Sequence, residues 1–250
     1  MCLNIPPLHD RGPPFCKDWN NNSNETITLK RPLMKYYTFS DTNLDTQKEC
    51  PQTWDFIKEY NPDSPTGVCS FCYNHYVFPD YTPDLDGFKL QPGARLTDFV
   101  TTGIGSSTLV TPKCKAVMEQ FALLPHRFYP TGLYKRNIRY DYYFFFHLFW
   151  CYPAFVDYKK TTFYKRLDPE KKPLDIETRY DFLRYRSQTP YIETDQVVLL
   201  KSFNKELDMF DLSPIYLGMI VSERFKNAIE EAGLTGQSFK PLPEDTIVFQ

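Results

Sequence analysis

A chain of 250 residues with 42% hydrophobic and 24% charged side chains is long enough to bury a sizeable core and has the balance of a globular fold. Its net charge of −2 and isoelectric point near 6.1 exclude the basic footprint of a nucleic-acid binder and a polybasic membrane anchor. Seven cysteines, an odd number in a chain too long for a small disulfide scaffold, point to a reducing, cytoplasmic setting with mostly buried thiols.

Residues 1–33 read as an irregular arm, with Pro6, Pro7, Pro13, Pro14 and Asn20 to Asn22 and no apolar run of the kind a secretory signal needs. Lys35-Tyr36-Tyr37-Thr38-Phe39 is the first cluster of strand formers and opens the folded body. Cys50 to Tyr60 reads as a short helix with Trp54, Phe56 and Ile57 apolar, and Asn61 to Gly67 as a turn-rich break. Val68 to Phe78 reads as a strand or hairpin arm, and Pro79 to Gly87 as an acidic loop. Leu109-Val110 ends a short strand, after which Thr111 caps a helix with Pro112 at its first position, where a missing N–H costs nothing. Cys114, Val117, Met118 and Phe121 then fall on one helical face. His126 to Pro130 is extended. Tyr140 to Tyr158 reads as two aromatic strands meeting near Pro153, too short and too interrupted to span a bilayer. Lys165 to Lys172 is a charged turn, and Asp181 to Tyr185, Gln196 to Leu200 and Pro214 to Met219 read as further strands. Residues 34–250 are expected to form one domain, with a sub-boundary, if any, near 95–105.

Val110 to Pro130 aligns without a gap to Val221 to Pro241. Val, Lys, Glu, Leu, Phe and Pro coincide, Thr111 matches Ser222, and Phe225, Ala228, Ile229 and Ala232 repeat the apolar helical face. Gly233 suits the left-handed turn that ends a helix. The expected fold is therefore α+β: a largely antiparallel sheet with flanking helices, containing two similar strand–helix–strand units.

Candidate chemistry is sparse. Cys50, Cys69, Cys72 and His75 carry ligand types that suit zinc, but only one close Cys-x-x-Cys pair is present, and buried thiols beside a surface histidine are the commoner outcome. Asp80, Asp84 and Asp86 could mimic nucleic-acid phosphates towards a nuclease, or be an ordinary solvated loop. In the run Tyr142 to Phe146, Tyr143 and Phe145 could anchor a partner on an exposed sheet face; the competing reading is a strand buried on both faces. None of His9, His75, His126 and His147 lies in a nucleophile–base motif, Gly103 to Ser107 lacks the phosphate-loop pattern, and Cys114 sits on an apolar face.

The closing segment Val221-Ser222-Glu223-Arg224-Phe225 through Gly233-Leu234-Thr235-Gly236 to Phe239-Lys240-Pro241 resembles the signature of a bacterial family of immunity proteins, encoded beside polymorphic and type VI secreted toxins. Met34 to Tyr37 resembles that family's opening strand, Thr97-Asp98-Phe99 its mid-chain turn, the Val110 unit its first helix and Asp141 to Asp157 its aromatic strands. The resemblance spans roughly Met34 to Pro241. It implies a role rather than a reaction: binding a co-encoded protein toxin and blocking it by steric occlusion, in the cytoplasm, without cofactor, nucleic acid or membrane. The alternatives are a zinc-containing enzyme of unrecognised class and a non-catalytic adaptor of a secretion system.

Overall fold

The computed structural model describes residues 35–41, 51–71, 77–104, 107–148, 152–189, 191–215 and 218–250. In chain order these form β1 (Tyr36–Ser40), β2 (Thr53–Phe56), the single-turn α1 (Val68–Phe71), β3 (Phe88–Leu90), β4 (Phe99–Thr101), β5 (Thr108–Val110) and α2 (Pro112–Met118). The long strands β6 (His126–Lys135) and β7 (Ile138–His147) follow, then a 3-10 turn at Tyr152–Phe155, β8 (Tyr164–Lys165), α3 (Arg179–Gln188), β9 (Ile192–Glu193) and β10 (Val197–Leu199). The chain closes with β11 (Met209–Asp211), β12 (Met219–Ser222), α4 (Glu223–Glu231), β13 (Ser238–Pro241) and β14 (Ile247–Phe249). It is a mixed α+β fold, mostly strand, with few helices.

Two sheets carry the architecture. The first runs β11-β12-β1-β13, antiparallel throughout. The second runs β2-β3-β6-β7-β5-β4, antiparallel except for the parallel pair β3–β6. Its β6–β7 hairpin turns on Arg136 and Asn137, both with positive φ, the backbone twist that a two-residue hairpin loop requires. This second sheet curls until its outermost strands meet. The Gln52 amide donates to the Thr101 carbonyl at 3.1 Å and the Gly103 amide to the Thr53 carbonyl at 2.8 Å. The fully buried Gln52 side chain completes the closure: its Nε2 donates to the Arg95 carbonyl and to Thr97 Oγ1, and its Oε1 accepts from the Thr101 amide. A buried amide is tolerated because its bonding capacity is used. The parallel pair β10–β14 and the hairpin β8–β9 flank the sheets, and the buried apolar side chains form one contiguous cluster.

Both caps legible in the sequence are present. Thr111 and Ser222 each accept a hydrogen bond from the amide three residues on, so each satisfies a donor that an uncapped helix leaves open. Each cap is itself held by an aspartate. Thr111 Oγ1 donates to Asp98 Oδ1 at 2.8 Å, and Asp98 Oδ2 accepts from the amide of Thr235, in the loop after α4. Ser222 Oγ donates to Asp208 Oδ1 at 2.6 Å, and Asp208 Oδ2 accepts from the amide of Ala122, in the loop after α2. Each aspartate thus ties its own helix start to the far end of the other helix. Phe121 and Phe225 pack edge to face at 5.3 Å, and Lys113 Nζ donates to the Ala232 carbonyl. The two segments differ beyond the helices: β6 is ten residues long and pairs with β7, whereas β13 is four and pairs with β1.

Several expectations need correction. The helix read over Cys50 to Tyr60 is instead the strand β2, because Thr53 and Phe56 pair with β3 and close the curled sheet. Val68 begins a helical turn rather than a strand, after Ser64 and Gly67 have already tightened the backbone. Asp181 to Tyr185 is helical: Thr178 and Asp181 form a reciprocal capping box, and the low amphipathicity of the segment hid the helix from periodicity. The aromatic run supplies one continuous strand, β7, and Pro153 falls in a 3-10 turn instead of a second strand. The strand read at Pro214 starts at Met219, after a turn in which the Ile215 amide bonds the Leu212 carbonyl.

Candidate functional site

A cleft with a volume of about 550 Å³ opens between the two sheets. The first sheet contributes the end of β1 and the facing ends of β11 and β12; the second contributes β2, β4, β5 and β7. Phe39, Phe145, Met118, Met209 and Met219 form much of its wall.

Its polar groups are set by strand ends. Asp41 follows β1 and accepts from Thr108 Oγ1 at 2.5 Å. It is half-buried, and that desolvation pushes its carboxyl above the usual range against the opposing pull of the Thr108 hydroxyl and of His147. Asp211 ends β11, is buried, and accepts from the Ser213 amide at 2.6 Å. His147 ends β7, is buried, and stands with Nε2 at 3.8 Å from Asp211 Oδ2. Among the described lining residues there is no lysine or arginine. Trp54 lies at the mouth with 61% of its surface exposed, its ring so close over Gly103 that a Cβ there would meet it at 2.5 Å. Among the described residues no cluster of three or more His, Cys, Asp or Glu could hold a metal ion.

Of the residues singled out in the sequence, Asp80, Asp84 and Asp86 are exposed in the loop before β3. Asp86 is engaged by Arg139 Nε at 3.1 Å, and Asp84 Oδ1 accepts from the Asp86 amide. Tyr143 and Phe145 share one face of β7. Tyr143 is half-buried with Lys115 of α2 over its ring at 5.1 Å. Phe145 is buried against Phe128 and His126 and lines the cleft. On the opposite face, Phe144 stacks on Phe88 and Tyr142 donates to the Thr97 carbonyl. Of the zinc candidates, Cys69 is half-buried; Cys50, Cys72 and His75 lie outside the described residues. Cys114 is fully buried, and burial pushes its thiol well above the ordinary range, which makes it a packing group rather than a nucleophile.

Sequence reasoning passed over Asp41, Asp211 and Trp54. Asp41 follows the first strand with no motif of its own, Trp54 reads as an apolar position of a helix, and no local pattern marks Asp211. Their common signal is convergence from three distant segments, which no linear motif encodes.

A family profile described as "Immunity protein family (Imm11)" matches residues 35–244. No curated protein shows a significant match to the chain.

Proposed function

The chain belongs to the Imm11 immunity protein family, and from that premise we propose that it binds a protein toxin encoded by the neighbouring gene and blocks it by covering its active site. The producing cell's cytoplasm is where such a block is needed, and a polymorphic or type VI secreted toxin is the partner in view. The profile match over most of the chain is the observation that carries this reading. The absence of a transmembrane-length apolar helix among the described residues is compatible with it. The role needs no catalytic step, metal or cofactor. Exposed Asp80 and Asp84 are proposed as rim contacts, where charge mainly sets the rate and selectivity of encounter. We take residues 34–250 as one functional domain and the two capped helices with their flanking strands as copies of one ancestral unit; the reciprocal Asp98 and Asp208 bonds support that descent.

The test is co-expression. The neighbouring gene product is induced with and without this protein, and the pair is then purified. Growth arrest that this chain relieves, with the two proteins eluting together, is the expected result. A harmless neighbour, or a toxic one that this chain neither binds nor neutralises, would overturn the reading.

A further inference from the structure

We propose that the cleft between the two sheets seats an arginine side chain of the toxin, with its guanidinium at Asp41 and Asp211 and its stem beneath Trp54. This rests on the immunity reading and adds to it the chemistry of one contact.

Charge is the first argument. The described lining carries two carboxylates and a single histidine, with no lysine or arginine to balance them. Asp41 is met by a hydroxyl and Asp211 by an amide and an imidazole, so among the described residues neither carboxylate meets a permanent cation. Withdrawing carboxylates from water is costly unless a positive group completes them. An open cleft of about 550 Å³ has room for a side chain to do so from outside.

The walls decide which cation fits. Phe39, Phe145 and the methionines line the cleft with aromatic and thioether surface, beside the neutral hydroxyls of Thr101, Ser107 and Thr108. A guanidinium is planar, weakly hydrated and stacks on rings, and its fork of N–H donors can address two carboxylates together; an ammonium surrenders more hydration in such surroundings. Trp54 supplies the third argument. A tryptophan with 61% of its surface exposed, seated on Gly103 at the cleft mouth, is costly for an isolated chain but suits an anchor awaiting a partner. Tryptophan and arginine are the side chains on which binding energy concentrates.

The experiment uses the full chain and the neighbouring toxin, made catalytically inactive, with calorimetric titration and a melting curve for each variant. Asp41→Asn, Asp211→Asn and Trp54→Ala should each weaken binding roughly 30-fold or more, with Glu170→Gln as an exposed charge control that leaves it unchanged. Alanine replacement of the toxin's arginines should find one whose loss adds nothing in the Asp41→Asn background. Should Asp211→Asn fail to fold, Trp54→Ala and Asp41→Asn keep the test open, since neither side chain is fully buried. Folded variants that bind within about threefold of wild type, or coupling of Asp41 to a toxin lysine or to no basic residue, would overturn the arginine seat and leave immunity standing. Failure of the wild-type chain to bind would instead remove both.

Discussion

Asp208 is only 1% exposed, yet it carries a heavy polar load. It accepts from the Ser222 hydroxyl, from the Ala122 amide and from two nitrogens of Arg224. Removing it leaves a buried hydroxyl and an inter-element amide unmatched, so Asp208→Ala should destabilise the fold by about 2–3 kcal/mol in urea unfolding, against roughly 1 for the half-buried Asp98→Ala. Asp41 is the opposite case. Its folded pKa is raised, so its ionised form is disfavoured in the folded state, and the penalty is present above that pKa and vanishes below the unfolded value. Asp41→Asn should therefore raise the melting temperature at about pH 7 and lose that advantage near about pH 3. A variant stabler than wild type but poorer at binding the toxin would mark Asp41 as retained for function. The cap hydroxyls Thr111 and Ser222 were legible because capping is a local code. Asp98 and Asp208, which hold those caps, were not, because their partners lie more than a hundred or more than eighty residues away.

Among the elements, helices α2 and α4 were readable, whereas α1, α3 and most strands were not. Helix α4 announces itself by a cap, a periodic apolar face and Gly233, which adopts φ +62°. A Cβ at Gly233 would meet open space, so Gly233→Ala should cost only about 1 kcal/mol, the intrinsic strain of the left-handed backbone. Gly236 differs: at φ +95° a Cβ would also run into the carbonyl of Phe99, at the start of β4. Gly236→Ala should cost roughly 3 kcal/mol or more and loosen the Thr235–Phe99 contact that docks α4 on the second sheet; thermal melts of the two variants side by side give the contrast. The strands β3, β4, β11 and β14 have only three residues each, too few for alternation to be read. In β7 an aromatic on nearly every position hides the alternation, since Phe144 packs within the curled sheet and Phe145 against β6 and the cleft.

At the level of the whole molecule, the family match begins at residue 35, where β1 takes the central place between β12 and β13. A chain of residues 34–250 should melt within a few degrees of the full-length protein and protect against the toxin equally well. Loss of protection with unchanged melting would assign the first 33 residues to the interface. Because a toxin bound only by the folded state stabilises it by mass action, the complex should also melt higher than the free chain, increasingly so as toxin is added.

The sequence by itself determined the chain's class, the capped helices α2 and α4, its opening strand and its family signature. Each of these is written in neighbouring residues: a hydroxyl three positions before the amide it bonds, a glycine where the backbone turns left-handed, an apolar face with helical period. Only the tertiary structure decided that the second sheet closes on Gln52, that two aspartates cross-link the helix units, and that Asp41, Trp54, His147 and Asp211 meet in one cleft. Those features are made by pairings between segments distant in the chain, and pairing energy depends on three-dimensional register and burial that a local pattern does not carry.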